Sequence, residues 1–319
     1  MTQVERDHRF RVALAFGLVY LLWGSTYLGI RIVVEHIPPS VMGASRFLLA
    51  GLPMLGWCAL RGRKIALTAG DFWRVLAIGV LLLTGGNVMV AWAEQFVASG
   101  LAALIVAIVP IWVALIESIL PRGERLAGRG VAGLALGIAG LAALMWPRLW
   151  AGGGAGHVQI LGALGLVFAS LSWASGSILS RRSQLGIDPF AATAWEMTLA
   201  GMVNLGIVLA LGDHHRVVWT ARGVGALFYL VIFGSWIGFT AYIWLLEHVP
   251  TPKVATYAYV NPVVAVFLGW LVLSEPVDAY IAVGTFIIIA GVALVNSSKI
   301  HKAAAPAEPE LPACEAQAD

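Results

Sequence analysis

The chain has 319 residues, of which 60% belong to the hydrophobic set and 12% are charged, and its mean hydropathy is +0.86. Soluble domains carry about 25% charged residues, so a water-soluble fold could not hide this much apolar surface. The composition therefore indicates a protein whose solvent is the lipid bilayer. It excludes a cytosolic enzyme, a nucleic-acid binder and a disordered chain. Cys58 and Cys314 lie in an apolar run and in the tail, and both are expected to be unpaired thiols.

Apolar stretches long enough to cross a bilayer recur ten times, at 12–34, 40–60, 72–93, 99–120, 128–146, 159–180, 190–211, 222–246, 252–273 and 278–297. The first stretch follows Arg6, Arg9 and Arg11, as the apolar core of a signal peptide would. It continues to Val34, however, and many spans follow, so we expect an uncleaved first helix. Residues 298–319 are rich in Ala, Pro and Glu and are expected to form a disordered cytoplasmic tail. The pattern predicts an all-α membrane protein with ten transmembrane helices.

Positive charges fall mostly on one side of these spans. If the N-terminus is cytoplasmic, fifteen of the twenty Lys and Arg residues lie in cytoplasmic segments, and three, Arg148, Arg216 and Arg222, lie outside. Arg31 and Arg46 lie within or at the ends of spans. Cytoplasmic loops of membrane proteins carry the excess of Lys and Arg. We therefore expect a multi-pass protein with both termini in the cytoplasm.

The two halves of the chain resemble each other at a nearly constant offset. At an offset of 150 residues, Trp23-Gly24-Ser25 falls on Trp173-Ala174-Ser175. Each half holds five spans, an odd number, so the second half must enter the membrane in the opposite orientation. The sequence thus predicts two inverted five-helix repeats, at 12–146 and 159–297. Such repeats are typical of secondary transporters, whose substrate site lies near the midplane between the halves.

These motifs resemble those of the drug/metabolite transporter superfamily, and specifically of its EamA family. The resemblance covers about residues 10–297 and is carried by Trp23-Gly24-Ser25, Ser45-Arg46-Phe47, Pro110, Asn261-Pro262 and the stretch from Ser274-Glu275-Pro276 to Gly291-Val292. It implies a ten-helix carrier that exports or exchanges small metabolites across a bacterial inner membrane. It does not fix the substrate.

Several charged side chains fall within the spans or near their ends. Arg46 lies six residues into the second span, where it either snorkels to the headgroups or lines a vestibule. Its repeat counterpart Glu196 starts from the opposite side, so about 12 Å of depth separates the two and we expect no direct ion pair. Glu117 is expected to lie close to Arg122 and Arg125.

Aromatic and small polar residues share faces at equivalent places in the two halves. Trp23, Thr26 and Tyr27 lie on one face of the first helix, and Trp173 and Ser177 repeat that pattern in the sixth. Packing or lipid contact is the alternative role of each aromatic residue. The symmetric placement favours a substrate-binding surface instead.

The ninth span carries a third part of this candidate site. Tyr257 and Asn261 share a helix face, and Asn261 precedes Pro262. Proline frees a backbone carbonyl one turn back and can bend the helix beside a cavity. We expect Trp23, Trp173, Tyr257 and Asn261 to touch one shared cavity.

The third span carries a further face formed by Asn87, Ala91 and Glu94. Asn87 is deep, so its amide must be satisfied either by substrate or by another helix. Glu94 is a candidate for proton coupling, because partial burial would let it bind and release protons. The alternative is a hydrated residue at the outer end of the helix.

The sequence predicts a ten-helix inverted-repeat carrier. Its predicted function is the efflux or exchange of small organic metabolites by alternating access. The inferred site is aromatic and amide-lined, without a deep fixed charge, which suits amino acid-, nucleobase- or drug-like solutes. An importer or facilitator of the same fold and, in another class, a polytopic membrane enzyme are the alternatives. The Asp and His residues lie outside the span centres, so no enzyme, metal or cofactor is expected. The expected partners are a small-molecule substrate and the bilayer, with protons and a second copy of the chain as candidates, and no nucleic acid.

Overall fold

Ten helical units follow one another in the computed structural model, which describes residues 3–121, 124–125, 128–150, 154–249, 257–297 and 301–302. We number them α1 (Gln3–Val34), α2 (Pro39–Leu60), α3 (Ala69–Ala93), α4 (Ser99–Ile119), α5 (Gly128–Trp150), α6 (Gly154–Arg182), α7 (Pro189–Leu211), α8 (Ala221–Tyr229, Leu230–Ile237 and Gly238–His248), α9 (Tyr257–Leu273) and α10 (Ala279–Ser297).

Each of the ten predicted spans corresponds to one of these helices, which confirms the all-α, ten-helix prediction. The largest difference is at α1, which begins at Gln3 rather than at residue 12. Residues 252–256 of the predicted ninth span lie outside the described part of the chain. Among the described residues, seven helices are long and apolar enough to cross a membrane, and three have shorter apolar stretches, at Gly128–Leu144, Val260–Leu273 and Ala279–Leu294.

The helix ends follow from local side-chain chemistry that recurs in the two halves. The hydroxyl of Thr68 accepts a hydrogen bond from the backbone N–H of Asp71 at the start of α3, at 3.1 Å. Thr220 does the same for Gly223 at the start of α8, at 3.0 Å. These hydroxyls satisfy backbone donors that the first helical turn leaves open. Gly212 ends α7 at φ 67°, in the left-handed region where a side chain is disfavoured.

Two helices change their winding at equivalent points. Residues Val80–Val88 of α3 and Leu230–Ile237 of α8 are π-helical, with starting residues 150 apart in the sequence. A π-helical segment is uncommon and frequently marks a functional position, because it shifts the register of the side chains that follow. Both halves thus interrupt their third helix in the same way.

The two halves interlock by packing helices of one against helices of the other. α1 packs against α8 and α9, whereas α6 packs against α3 and α4. α2 also packs on α8, and α7 on α3. One bundle consists of α1, α2, α8 and α9 and the other of α3, α4, α6 and α7, and a close contact between α2 and α7 joins the two. Replacing each helix by the one five places along reproduces these contacts, as a pseudo-two-fold axis between inverted repeats requires.

α5 and α10 form a separate close pair outside the two bundles. A Cβ added to Gly291 would lie 2.7 Å from the backbone nitrogen of Gly137 and 2.8 Å from the carbonyl oxygen of Gly133. A Cβ added to Gly140 would lie 2.9 Å from the backbone nitrogen of Ile288. Glycine is the residue type that allows such close approach of two helix backbones.

Large apolar side chains cover much of the outer surface of the helices, as a lipid solvent permits. Leu60 and Phe286 are 88% and 76% exposed. One short sheet lies outside the helices: Glu124–Arg125 pairs antiparallel with His301–Lys302. This pairing brings the α4–α5 connection and the segment after α10 to the same side of the molecule. The remaining residues of the predicted tail, 298–300 and 303–319, lie outside the described part of the chain.

Candidate functional site

Trp23 and Trp173 lie against glycines on the helices that contain the π-helical segments. A Cβ added to Gly238 in α8 would lie 2.5 Å from Nε1 of Trp23. A Cβ added to Gly86 in α3 would lie 3.0 Å from Cε3 of Trp173. Each tryptophan belongs to one half and its glycine to the other, so a Trp–Gly contact between the halves is made twice, through different edges of the two indole rings. The two halves therefore resemble each other in the packing around the candidate site as well as in the order of their helices.

An aromatic cluster surrounds Trp23. Its ring centroid lies 5.2 Å from that of Phe239, 4.9 Å from that of Tyr242 and 5.2 Å from that of Tyr257. The side chains of Trp173 and Tyr257 lie close to each other. Trp23, Tyr242 and Tyr257 lie in one bundle and Trp173 lies in the other. The structure therefore joins three of the four residues predicted to share a site, at the boundary between the bundles.

Asn261, the fourth of these residues, links α9 to α1. With its amide oriented so that the nitrogen faces two carbonyl groups, it donates to Tyr257 in α9 at 3.2 Å and to Tyr20 in α1 at 3.3 Å. The side chain is buried. Its amide group thus stabilises the α1–α9 contact next to Pro262, beside the aromatic cluster.

The two predicted hydroxyl residues are bonded within their own helices. Thr26 donates to the carbonyl of Trp23 at 2.6 Å, and Ser177 donates to the carbonyl of Trp173 at 2.7 Å. Such bonds to the preceding turn satisfy a hydroxyl in an apolar environment. The hydroxyl oxygens keep acceptor capacity, while their protons are already used.

Arg46 is buried rather than snorkelling to the headgroups, so the first of its two predicted positions is wrong. Its side chain, in a residue only 2% exposed, donates from Nε to the Ser235 hydroxyl at 3.1 Å and from Nη1 to the Asn87 amide oxygen at 2.9 Å. The guanidinium group therefore lies between α2, α3 and α8, where the bundles meet. A buried positive charge thus lies where the bundles meet, whereas the sequence led us to expect a site without a deep fixed charge. A sequence alone gives the depth of Arg46 but not the neutral partners that hold it there.

Asn87 therefore has a helix-to-helix partner, which is one of the two alternatives that its depth left open. Its amide oxygen accepts the hydrogen bond from Arg46 within the π-helical segment of α3. The residue shares that segment with Thr84, whose hydroxyl accepts a hydrogen bond from the buried Asn204 of α7 at 2.9 Å. Asn204 and Ser235 are polar interior residues that the sequence reading missed, because nothing in their spacing distinguishes them from packing residues.

Glu94 is fully buried, so the alternative of a hydrated helix-end residue is wrong. Among the described residues, neither oxygen of its carboxyl group has a hydrogen-bond partner. The Arg31 guanidinium group donates to the backbone carbonyl of Glu94. The Glu275 carboxyl group and the Tyr27 phenol lie within electrostatic range of the Glu94 side chain. Tyr27, predicted as a substrate contact, lies within electrostatic range of both Glu94 and Tyr257.

Glu275, in the connection between α9 and α10, caps the start of α4. Its carboxylate accepts hydrogen bonds from the backbone nitrogen of Ser99 at 2.8 Å, the Ser99 hydroxyl at 3.0 Å and the backbone nitrogen of Gly100 at 3.1 Å. A carboxylate at a helix N-terminus satisfies open N–H groups and opposes the positive end of the helix dipole. This contact fastens one bundle to the other. The resemblance marked the motif at Ser274, but only the fold reveals its partner.

Glu117 pairs with Arg181 and Arg182 at the end of α6, with Arg182 at 2.6 Å. The expected neighbours Arg122 and Arg125 have side chains outside the described part of the chain. Because α4 and α6 belong to the same bundle, this ion-pair group stabilises that bundle internally.

Two inverted, interlocked five-helix halves, with aromatic and polar side chains gathered where they meet, define a membrane transporter of the inverted-repeat class. The model of the EamA-like transporter family matches residues 11–146 and 160–297, one match in each half. The chain belongs to this family, which confirms the resemblance read from its motifs.

Relatives and a solved structure agree with this assignment. The protein named "Uncharacterized inner membrane transporter YedA" of Escherichia coli (strain K12) is 36% identical over 296 residues, which cover 91% of this chain and 94% of that protein. "Uncharacterized transporter YvbV" of Bacillus subtilis (strain 168) is 25% identical, over 92% of this chain and 95% of that protein. A solved crystal structure with 21% identity shares the fold, with a TM-score of 0.63 over 89% of this chain and 96% of that chain. The protein is a multi-pass membrane transporter, and the comparisons are consistent with the inner membrane and point away from an enzyme.

Proposed function

We propose that this protein exports or exchanges small organic metabolites across the inner membrane by alternating access. The observation that carries the proposal is the paired Trp–Gly contact, made once from each half, within the π-helical segment of α3 and directly after that of α8. The two contacts give the two bundles a similar internal packing, so that one kind of movement between the bundles could open the site to either side. Amino acid-, nucleobase- and drug-like solutes are the proposed substrates, because their rings stack on aromatic side chains.

The contact between Trp173 and Tyr257 crosses from one bundle to the other, so rocking of the bundles would alter it. Trp173 belongs to the α3, α4, α6, α7 bundle, whereas Tyr257 stacks edge-on against Trp23 in the other bundle. Separation of the bundles at this point would expose the faces of three rings to a solute. The neighbouring π-helical segments supply a place where helix winding can change at low cost.

Comparison of extracellular metabolites tests this function. Overexpression is expected to raise, and deletion to lower, the external level of the substrate. Trp23→Ala should abolish the difference, because it removes the ring at the centre of the cluster, whereas Trp219→Ala should retain it, because Trp219 is 59% exposed outside the spans. A fall in the external level on overexpression would identify an importer. A new product in the absence of net transport would identify an enzyme.

Glu94 is the carboxyl group that we assign to proton coupling. Its complete burial and its lack of a hydrogen-bond partner among the described residues support this role, since a buried carboxyl group is stabilised by protonation or by a nearby cation. Arg31 supplies such a cation on the neighbouring α1. Release of the proton on one side of the membrane and uptake on the other would then follow movement of α1 relative to α3.

A further inference from the structure

We propose that Arg46 binds the carboxylate of the substrate, so that the protein transports small organic carboxylates. This inference rests on the transport function proposed above and names the substrate class of its central site. It departs from a purely aromatic and amide-lined site, which would select solutes by stacking alone.

The first argument is the absence of a carboxylate partner for a deeply placed cation. The six ion pairs found among the described residues involve other arginines, and Arg46 bonds there only to the neutral Ser235 and Asn87 side chains. A buried charge without a counterion is costly, and neutral dipoles offset only part of that cost. A substrate carboxylate would supply the missing charge.

The second argument is the orientation of the guanidinium group. Ser235 and Asn87 hold it through Nε and Nη1, and among the described residues its third nitrogen, Nη2, has no hydrogen-bond acceptor. A Cβ added to Gly234 would lie 3.0 Å from Nη2 and 3.0 Å from Cγ2 of Thr26. Arg46 is therefore oriented by two fixed partners and keeps donor capacity towards Gly234.

The third argument is the continuity between this cation and the aromatic cluster. The carbonyl oxygen of Gly234 accepts the hydrogen bond from Nε1 of Trp23 at 3.2 Å. The backbone of one residue thus separates the guanidinium group from the ring of Trp23. A carboxylate bound to Arg46 would place its attached side chain beside Trp23, Tyr242 and Tyr257.

The position of Arg46 between the bundles links the binding of a carboxylate to transport. Arg46 and Ser235 belong to the α1, α2, α8, α9 bundle, and Asn87 belongs to the other. A carboxylate that replaces the Asn87 oxygen on Nη1 would release this contact across the bundle boundary. Binding energy from the charged pair would then favour movement of the bundles, since a ligand shifts an equilibrium by its differential affinity for the two states.

Matched pairs of carboxylates and primary amides test the proposal on the purified full chain. Thermal stabilisation is measured with phenylacetate against phenylacetamide, lactate against lactamide, and leucine against leucinamide. The wild type is expected to bind at least one carboxylate about 10- to 100-fold more tightly than its amide, as hydrogen bonds to a charged group imply. Arg46→Gln should reduce that ratio to about one, and Arg46→Lys should keep part of it, because Lys retains the charge without the planar fork. Arg222→Gln, at an exposed ion pair with Glu35, is the control and should keep the full ratio.

Asn87→Asp tests the proposal where Arg46→Gln fails to fold. This isosteric change places an internal carboxylate about 2.9 Å from Nη1, so the variant should remain folded and lose carboxylate binding. A wild type that binds no carboxylate of the panel, or binds carboxylates and amides equally, contradicts the proposal. So does an Asn87→Asp variant with an unchanged ratio. Movement of neutral solutes that depends on Trp23 would then leave the transport function standing without this substrate class.

Discussion

Glu94 and Arg46 are charged side chains inside an apolar protein, and their surroundings differ. Arg46 donates hydrogen bonds to two neutral side chains, whereas the Glu94 carboxyl group has no such partner among the described residues. Arg46 is oriented by two neutral partners and keeps donor capacity on Nη2, which suits it to bind a ligand of opposite charge. A carboxyl group without partners is suited to gain and lose a proton.

Substitution of Glu94 by Gln tests its assignment to proton coupling. The change keeps the shape of the side chain and removes the titratable group. Proton-driven substrate movement in reconstituted vesicles should fall to the level of protein-free vesicles, while substrate binding to the purified protein survives. Glu35→Gln is the matched control, because Glu35 is exposed and pairs with Arg222. An unchanged pH dependence in Glu94→Gln would remove this residue from the mechanism.

At the scale of elements, α8 and α3 approach the opposite half through several glycines each. Gly238→Val would place a side chain within 2.5 Å of Nε1 of Trp23 and displace the aromatic cluster. Such overpacking should lower the free energy of unfolding by about 1–3 kcal/mol and abolish transport. Thermal denaturation and the metabolite assay measure the two effects. Gly225→Val, on the same helix with no heavy atom within 4 Å of its added Cβ, should change neither much.

The α5–α10 pair is expected to tolerate added side-chain atoms even less, because backbone atoms of α5 face the glycines of α10. Gly291→Ala would bring a Cβ to 2.7 Å from the Gly137 nitrogen, so the helices must separate. We expect a loss of about 1–3 kcal/mol of stability, read as a lower melting temperature. Gly206→Ala on α7 has open space around its added Cβ and should be neutral or stabilising. Equal melting temperatures for the two variants would mean that the pair does not depend on close contact.

At the scale of the whole molecule, the pairing of Glu124–Arg125 with His301–Lys302 brings the α4–α5 connection and the end of α10 to one side. The positive charges of the sequence favour the cytoplasm for that side. A reporter that is active only in the periplasm should be silent when fused after Lys302. The same reporter fused after residue 152, in the α5–α6 connection, should be active. Strong activity at Lys302 would reverse the proposed orientation.

Much of the architecture could be predicted from the sequence because it depends on local properties. Apolar runs of membrane length set the ten helices, and prolines such as Pro39 and Pro189 mark equivalent helix starts in the two halves. The constant offset between Trp23 and Trp173 indicated the repeat, and an odd number of spans in each half required its inversion. Gly133, Gly137 and Gly140 share one face of α5, and small residues on one face admit a neighbouring backbone.

Only the tertiary structure shows which polar side chains have hydrogen-bond partners and which residues those partners are. The partners of Arg46 lie 41 and 189 residues away in the sequence, and the helix that Glu275 caps lies 176 residues away. The burial of Glu94 and the proximity of Trp173 to Tyr257 also depend on the packing of helices that are distant in the sequence. Span length and hydropathy predict how deep a residue lies in the membrane. Its hydrogen bonds and its charge state depend instead on the atoms that the fold brings next to it.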